Sequence, residues 1–339
     1  MTNKTLTGAT PGGLSKPARI LPPLVSGQEW ALVGVLVVLW ILLGIFTPAF
    51  LTPSSIQPLL GSVAPIALIG VGMTFIIITA GIDISVGAGI MVTAVISAKL
   101  MVEIDLPLWG VIPAAVGVGL VLGLINGLLV AYGGVHAIII TFGTLNLFQY
   151  LGLRIFGSQT VNGIPGTLEI FGNGAGGRIY GTPVSFAIAV VAMSFGWWFL
   201  RNTAWGRSYY AIGGNQNAAR LAGIPVQTRV LSAYVITGGL VGLGALMVVA
   251  QGTNSLMQNV GQGRELAVIA AVVIGGTTIM GGRGSVFGTL LGAILVQTVV
   301  TGVTQLGWPS NLANFFVGLF IIISVGADVL RAKARKKSS

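Results

Sequence analysis

Asp83 is the residue in this chain most in need of a physical explanation. It stands in Thr79-Ala80-Gly81-Ile82-Asp83-Ile84-Ser85-Val86-Gly87, between two long and mostly apolar stretches. A carboxylate in that setting is costly unless a partner or water meets it. Two roles fit. Asp83 or Ser85 can cap the helix that starts next, its side chain accepting a backbone N–H and complementing the helix dipole. Alternatively the break lines a permeation path or gate, since irregular backbone at membrane depth is tolerated where it faces protein or a water-filled cavity. Arg283, in Gly281-Gly282-Arg283-Gly284, fits as a loop arginine at a membrane face. It could also pair with Asp83, because both breaks fall on the same side.

Uncharged polar groups supply the other candidate chemistry. Asn126 interrupts Gly123–Val130, and Thr141, Thr144, Asn146 and Gln149 punctuate the following apolar run. On a helix, Thr141, Thr144 (or Asn146) and Gln149 can share roughly one face. Amides and hydroxyls suit a path for a neutral polyhydroxylated solute, offering donors and acceptors without strong binding. Interhelical hydrogen bonding is the plainer account of each residue taken singly. Catalysis finds no footing: there is no acid pair in one span, no nucleophile–base arrangement, and no cysteine. His136 is the only histidine, and one histidine makes no metal site. No G-x-x-x-x-G-K-[ST] occurs, so no ATP is bound through a P-loop. Acids within the spans are too few for an evident proton relay.

The elements that position these residues follow from composition. Only 7% of the 339 residues are charged, against roughly 25% in a soluble domain. The mean hydropathy is +0.94. Such a chain cannot cover its surface in water, so an all-α polytopic membrane protein is expected, with about ten transmembrane helices and glycine-rich helix breaks. The spans read as Trp30–Phe46, Pro58–Ala80, Val86–Val102, Trp109–Ala131, Ala137–Phe156, Pro183–Leu200, Val230–Gln251, Glu265–Met280, Ser285–Leu306 and Asn311–Leu330. Residues 1–29 read as a cytoplasmic tail, 30–330 as the transmembrane domain and 331–339 as a basic cytoplasmic tail. With the N-terminus inside, only Lys99, Arg154, Arg178 and Arg264 of the 17 Lys and Arg fall outside, which leaves thirteen inside. Both termini are therefore expected in the cytoplasm. The Gly157–Thr182 loop then faces outward, with turns rather than a domain. The formal charge of +10 belongs to this topology and not to nucleic acid.

Glycines four apart at Gly119, Gly123 and Gly127, at Gly238 and Gly242, and at Gly284, Gly288 and Gly292 predict close helix packing. Pro65–Ile90 laid over Glu265–Leu290 gives a faint repeat that matches Gly81 with Gly281 and Ser85 with Ser285. Between two spans lies Gly206–Gln227, a polar loop carrying Arg207 and Arg220 and no acid. In it Gly213-Gly214-Asn215 can turn and cap, Gln216–Ala222 reads as two helical turns, and Gly223 and Pro225 stop them. A helix this short is unstable alone in water, so its own bundle or a partner must hold it.

Three segments carry a resemblance: Ile78–Gly87, Ala211-Ile-Gly-Gly-Asn-Gln-Asn-Ala-Ala-Arg-Leu-Ala-Gly-Ile224, and Ala270-Ala-Val-Val-Ile-Gly-Gly-Thr-Thr-Ile-Met-Gly-Gly-Arg-Gly284. In this order they resemble the ribose-type sugar permeases, membrane subunits of bacterial ABC importers, and the similarity extends from about Trp30 to Leu330. The resemblance implies an inner-membrane permease for a monosaccharide. A second permease subunit completes the pore, separate cytoplasmic ATPase subunits bind the ATP and Mg, and a periplasmic or lipid-anchored binding protein delivers the sugar. The coupling helix of that family falls on Gly213–Gly223, so Gly213, Gly214, Asn215, Ala218, Ala219, Arg220 and Gly223 are the expected ATPase contacts. Asp83, Ser85, Asn126, Thr141, Thr144, Asn146 and Gln149 are the expected path or gate. Gln216-Asn217 stand where relatives often carry an acid, and His136-Ala137 where a proline is common. A furanose signalling molecule, a polyol or a branched-chain amino acid are the alternative cargoes, and a secondary carrier the alternative machine.

Overall fold

The computed structural model describes residues 27–157, 159–172, 177–252 and 254–337. Most of the expected N-terminal tail lies outside them. Among the described residues eight helices are long and apolar enough to cross a membrane: α1 (Gly27–Phe46), α2 (Pro53–Ile78), α3 (Val86–Glu103), α4 (Leu108–Tyr132), α5 (Ala137–Phe156), α6 (Val184–Asn202), α9 (Val226–Gln251) and α11 (Val286–Gln305). Between α6 and α9 lie the short helices α7 (Ala204–Gly214) and α8 (Gln216–Leu221). α10 (Arg264–Ile274) precedes α11, and α12 (Asn311–Lys337) closes the chain with an apolar stretch Asn311–Gly326. Two boundaries move. α1 starts at Gly27, so the last residues of the expected tail are helical, and α12 continues through much of the expected basic tail.

The eighth expected span is half a span. α10 has 11 residues, about 16 Å of helix, against a hydrocarbon core of about 30 Å. It stops because the next residues include Gly276, Gly281 and Gly282, all at positive φ. The chain from Gly275 to Ser285 is irregular, as is Thr79–Ser85 between α2 and α3.

α2 is the axis of the bundle: every residue from Val63 to Ile78 is buried. Around it the predicted glycine rows do what their spacing implies. Gly119 and Gly123 of α4 lie against Gly238 and Gly242 of α9, so a Cβ on Gly238 would meet the Gly119 carbonyl and the Gly123 backbone. Gly288 and Gly292 of α11 lie on Gly275 and Ala271. Gly238→Leu is therefore expected to destabilise the protein by about 3 kcal/mol, the upper range of overpacking costs. Gly143→Leu, where a Cβ meets nothing within 4 Å, should be neutral. Thermal unfolding of the two variants in detergent checks this; equal midpoints would refute the packing argument.

One end of the bundle carries a packed cap. β1 (Val161–Asn162) pairs antiparallel with β4 (Ser255–Leu256), and β2 (Arg178–Ile179) with β3 (Thr182–Pro183). A 3-10 turn spans Gly166–Phe171. The described part of the Gly157–Thr182 loop is thus turns and two-residue pairings rather than a domain, in line with its composition. Val161, Ile164, Leu168, Phe171 and Leu256 are buried in the main core, an apolar set that the loop's glycines mask in the sequence. The Gln251 amide anchors the cap end by donating to the Gly61 carbonyl of α2 at 2.8 Å. The opposite end holds the two breaks, α7 and α8.

Candidate functional site: the junction of two helix breaks

The three motif segments meet in space. Gly282 N–H of the second break donates to the Ile78 carbonyl, where α2 ends, at 2.8 Å. Gly213, near the end of α7, lies on this bond: a Cβ there would fall on the Ile78 carbonyl and the Gly282 nitrogen. Tyr210, one turn earlier on α7, is buried and donates its hydroxyl to the Gly284 carbonyl at 3.1 Å. Tyr234 of α9 and Thr141 of α5 both donate to the Ile82 carbonyl of the first break, at 3.3 and 3.2 Å. Carbonyls that the broken helices leave free thus find side-chain donors, as backbone at membrane depth requires. α7 rests directly on both breaks.

Asp83 is 4% exposed. Its Oδ1 accepts from the Ser85 backbone N–H at 2.9 Å and from the Ser85 hydroxyl at 2.7 Å. Asn126 of α4 donates to Ser85 Oγ at 2.7 Å and, more weakly, to Asp83 Oδ2 at 3.4 Å. The carboxylate therefore closes the turn that starts α3 and ties it to α4. The Asp83–Ser85 bond lies within the turn before α3 and does not cap the helix: Ser85 is the N-cap residue, and no side chain caps α3, so the expected cap is not formed. The Asp83–Arg283 pair does not form: Arg283 is exposed, whereas Asp83 is buried on Ser85 and Asn126. Lys99 and Glu103 form a surface ion pair one helical turn apart.

The polar loop is more ordered than its composition suggests. Thr203 caps α7, accepting the Gly206 N–H at 2.9 Å. Gly213 and Gly214 belong to this helix instead of forming a turn, and the turn falls on Asn215 alone. Asn215 caps α8 through the Ala218 N–H at 3.0 Å. Gly223, at φ +77°, stops α8, and Pro225 precedes α9, as the sequence predicts. α7 is fixed to α9 by Tyr209 Oη and Ser232 Oγ at 2.8 Å and by the Arg229 guanidinium over the Trp205 ring. The apolar spacing Trp205, Tyr209, Ile212 was the available signal for α7. α8 is held by its own bundle through Ala219, which packs with Ile212 and Val226. Its remaining surface is open. Ala218, Arg220 and Gly223 are exposed, and Leu221 is 91% exposed.

Placement of the expected path residues is uneven. Asp83, Ser85 and Asn126 form one cluster, and Thr141 joins it through Ile82. Thr144 is buried one turn along α5, its hydroxyl donating to the Thr141 carbonyl at 3.3 Å. Asn146 and Gln149 do not share that face; both are exposed. The buried stripe of α5 is Thr141, Thr144, Phe148, Gly152, and at 100° per residue Asn146 and Gln149 turn away from it. Sequence reasoning missed Tyr210, Tyr234 and Glu29. Glu29 is 1% exposed and accepts from the Ser285 hydroxyl. No metal-binding group of His, Asp or Glu occurs among the described residues.

Comparison with known proteins agrees with this geometry. Residues 55–325 match the family described as branched-chain amino acid transport system / permease component. The ribose import permease protein RbsC of Bacillus subtilis is 38% identical over 315 residues, 90% of this chain and 92% of that protein. RbsC of Haemophilus influenzae is 35% identical over 86% of this chain and 90% of that protein. The autoinducer 2 import system permease protein LsrD of Photorhabdus temperata is 34% identical over 88% and 90%. No solved structure matches the chain. A polytopic helical bundle whose family match and relatives cover most of its length, this protein belongs to the permease-component family of membrane transport systems.

Proposed function

We propose that this chain is the membrane permease subunit of an ATP-driven importer of a monosaccharide. The observation that carries the reading is the seat of α7 and α8. α8 exposes nearly its whole surface at the break end of the bundle, while α7, to which it is joined, lies on the bond between the two breaks. A push on α8 is therefore delivered to both breaks. The partner is a cytoplasmic ATPase subunit that carries the ATP and Mg. Gly213, Gly214, Asn215, Ala218, Ala219, Arg220 and Gly223 form the coupling element, with Leu221 as the apolar knob that enters the partner's cleft. Both termini and this element lie in the cytoplasm of a bacterial cell, and a periplasmic or lipid-anchored binding protein docks on the cap.

The cargo class rests on the relatives named for ribose and on the chemistry of the junction. Asn126, Thr141 and Thr144 at the junction are neutral donors and acceptors, which suit a neutral polyhydroxylated solute better than a zwitterionic amino acid. Asn146 and Gln149 are exposed in the middle of α5; the Asn146 amide donates to the Phe142 carbonyl of its own helix at 2.8 Å, and the Gln149 amide would go unmet in lipid, so this face turns toward a second permease subunit and the path between them. Affinity purification of the tagged chain from native membranes is expected to recover a P-loop ATPase, and deletion of Gln216–Ala222 to lose it with membrane insertion intact. Retention of the ATPase by the deletion variant, or uptake that runs without ATP, would overturn the coupling reading. Ligand binding to the co-purified binding protein then separates a monosaccharide from autoinducer 2 and branched-chain amino acids.

A further inference from the structure

We propose that Glu29 is a positioning residue of the gate, a latch that holds the second break from the first turn of α1. The inference rests on the reading that the junction of the breaks is the gate. Glu29 is 1% exposed, and Ser285 Oγ donates to its Oε1 at 2.5 Å. The same Ser285 Oγ accepts the Gly288 N–H at 3.2 Å and so caps α11. The carboxylate thus stands, one hydroxyl removed, at the positive end of the α11 dipole. Gln28 packs beside Gly276, and the Gly275 and Gly288 backbones touch, so the first turn of α1 sits directly on the second break.

Each break ends on the serine that precedes the next helix, and the two serines are held differently. In the first, Ser85 is held by Asp83, two residues away in the same loop. In the second, the equivalent Ser285 is held by a carboxylate 256 positions away on another helix. The first lock moves with its loop as a unit. The second survives only while α1 and α11 keep their relative position. α1 is also the more weakly seated helix: 22% of its apolar window is buried, against 67% for α11. Glu29–Ser285 is therefore a contact that parts when α1 moves away from α11. The second break, unlike the first, reports the position of α1.

The test uses the complete assembled transporter. Glu29→Gln, Ser285→Ala and the pair are compared for uptake, for ATP hydrolysis and for the amount of ATPase that co-purifies. Loss of a charge-assisted hydrogen bond at the gate is expected to lower uptake per assembled complex about tenfold in each single variant. ATP hydrolysis should persist within about twofold, and the pair should be no worse than the poorer single variant, as expected of two groups acting through one contact. A merely static cap would lower yield or thermal midpoint and leave uptake per assembled complex unchanged. That result, or additive losses in the pair, would overturn the latch. The unsubstituted complex is the reference in the same assay; if it shows no ATP-dependent uptake, the importer reading fails first and the latch falls with it.

Discussion

Gly213→Ala is expected to abolish uptake in a chain that still inserts, whereas Gly214→Ala, one residue on, should lower it far less. Both residues are helical, and replacing glycine by alanine in a helix contributes up to about 1 kcal/mol of intrinsic stability. At Gly214 nothing lies within 4 Å of the added Cβ, so that small gain is all the substitution does within the chain. At Gly213 the Cβ would fall on the Ile78 carbonyl and the Gly282 nitrogen, which are bonded to each other at 2.8 Å. Both obstacles are backbone, so no rotamer change relieves the overlap. Either α7 lifts off the breaks or the Ile78–Gly282 bond parts. A cost of about 3 kcal/mol, at the top of the overpacking range, corresponds to a loss of about 100-fold in the population of the seated arrangement. Uptake into proteoliposomes, normalised to inserted protein, reads the effect. Equal uptake by the two alanine variants would remove α7 from the path between the ATPase contact and the gate.

Asp83→Ala should be the most damaging change within the membrane-spanning part, and Asp83→Asn distinctly milder. Alanine leaves the Ser85 N–H and hydroxyl without their acceptor in a buried site. An unmet buried donor costs about 1–3 kcal/mol, and a hydrogen bond to a charged group contributes about 1.5–3 kcal/mol. A loss of about 3 kcal/mol, and uptake reduced on the order of 100-fold, follows. Asparagine keeps an oxygen for both Ser85 donors. Its own amide then faces the Asn126 amide that now donates to Ser85 and Asp83, so one of those bonds is lost, and uptake should fall about tenfold. Asn126→Leu should match Asp83→Asn in size and show strong coupling to it in a double-mutant cycle, since the two side chains share Ser85. An Asp83→Ala variant with near-normal uptake would reduce this cluster to a surplus contact. Arg283→Gln should leave uptake close to normal, because the Arg283 side chain is exposed and forms no pair with Asp83.

The chemistry of individual segments was legible in the sequence. Low charge and long apolar runs require a membrane bundle, and glycines four residues apart require close helix contact; α4 against α9 shows both. Asn215, Gly223 and Pro225 mark the limits of α8 because capping and left-handed turns are local events, decided by the residue and its immediate neighbours. A run such as Gly275–Gly284 states by itself that a helix ends, and nothing about what the freed backbone meets.

That was decided by the tertiary structure. Ile78 meets Gly282, Tyr210 meets Gly284, and Tyr234 and Thr141 converge on Ile82 across separations no periodicity encodes. The faint match of Ser85 with Ser285 pointed to similar roles for the two serines, yet their carboxylate partners come from unrelated places, Asp83 nearby and Glu29 from α1. Asn146 and Gln149 shared a plausible face with Thr141 until packing fixed which side of α5 is buried. Helix and strand periods specify which residues lie together on one element. Which element they face depends on how backbones close on one another, and in a bundle this rich in glycine those closest approaches are made by residues without side chains to announce them.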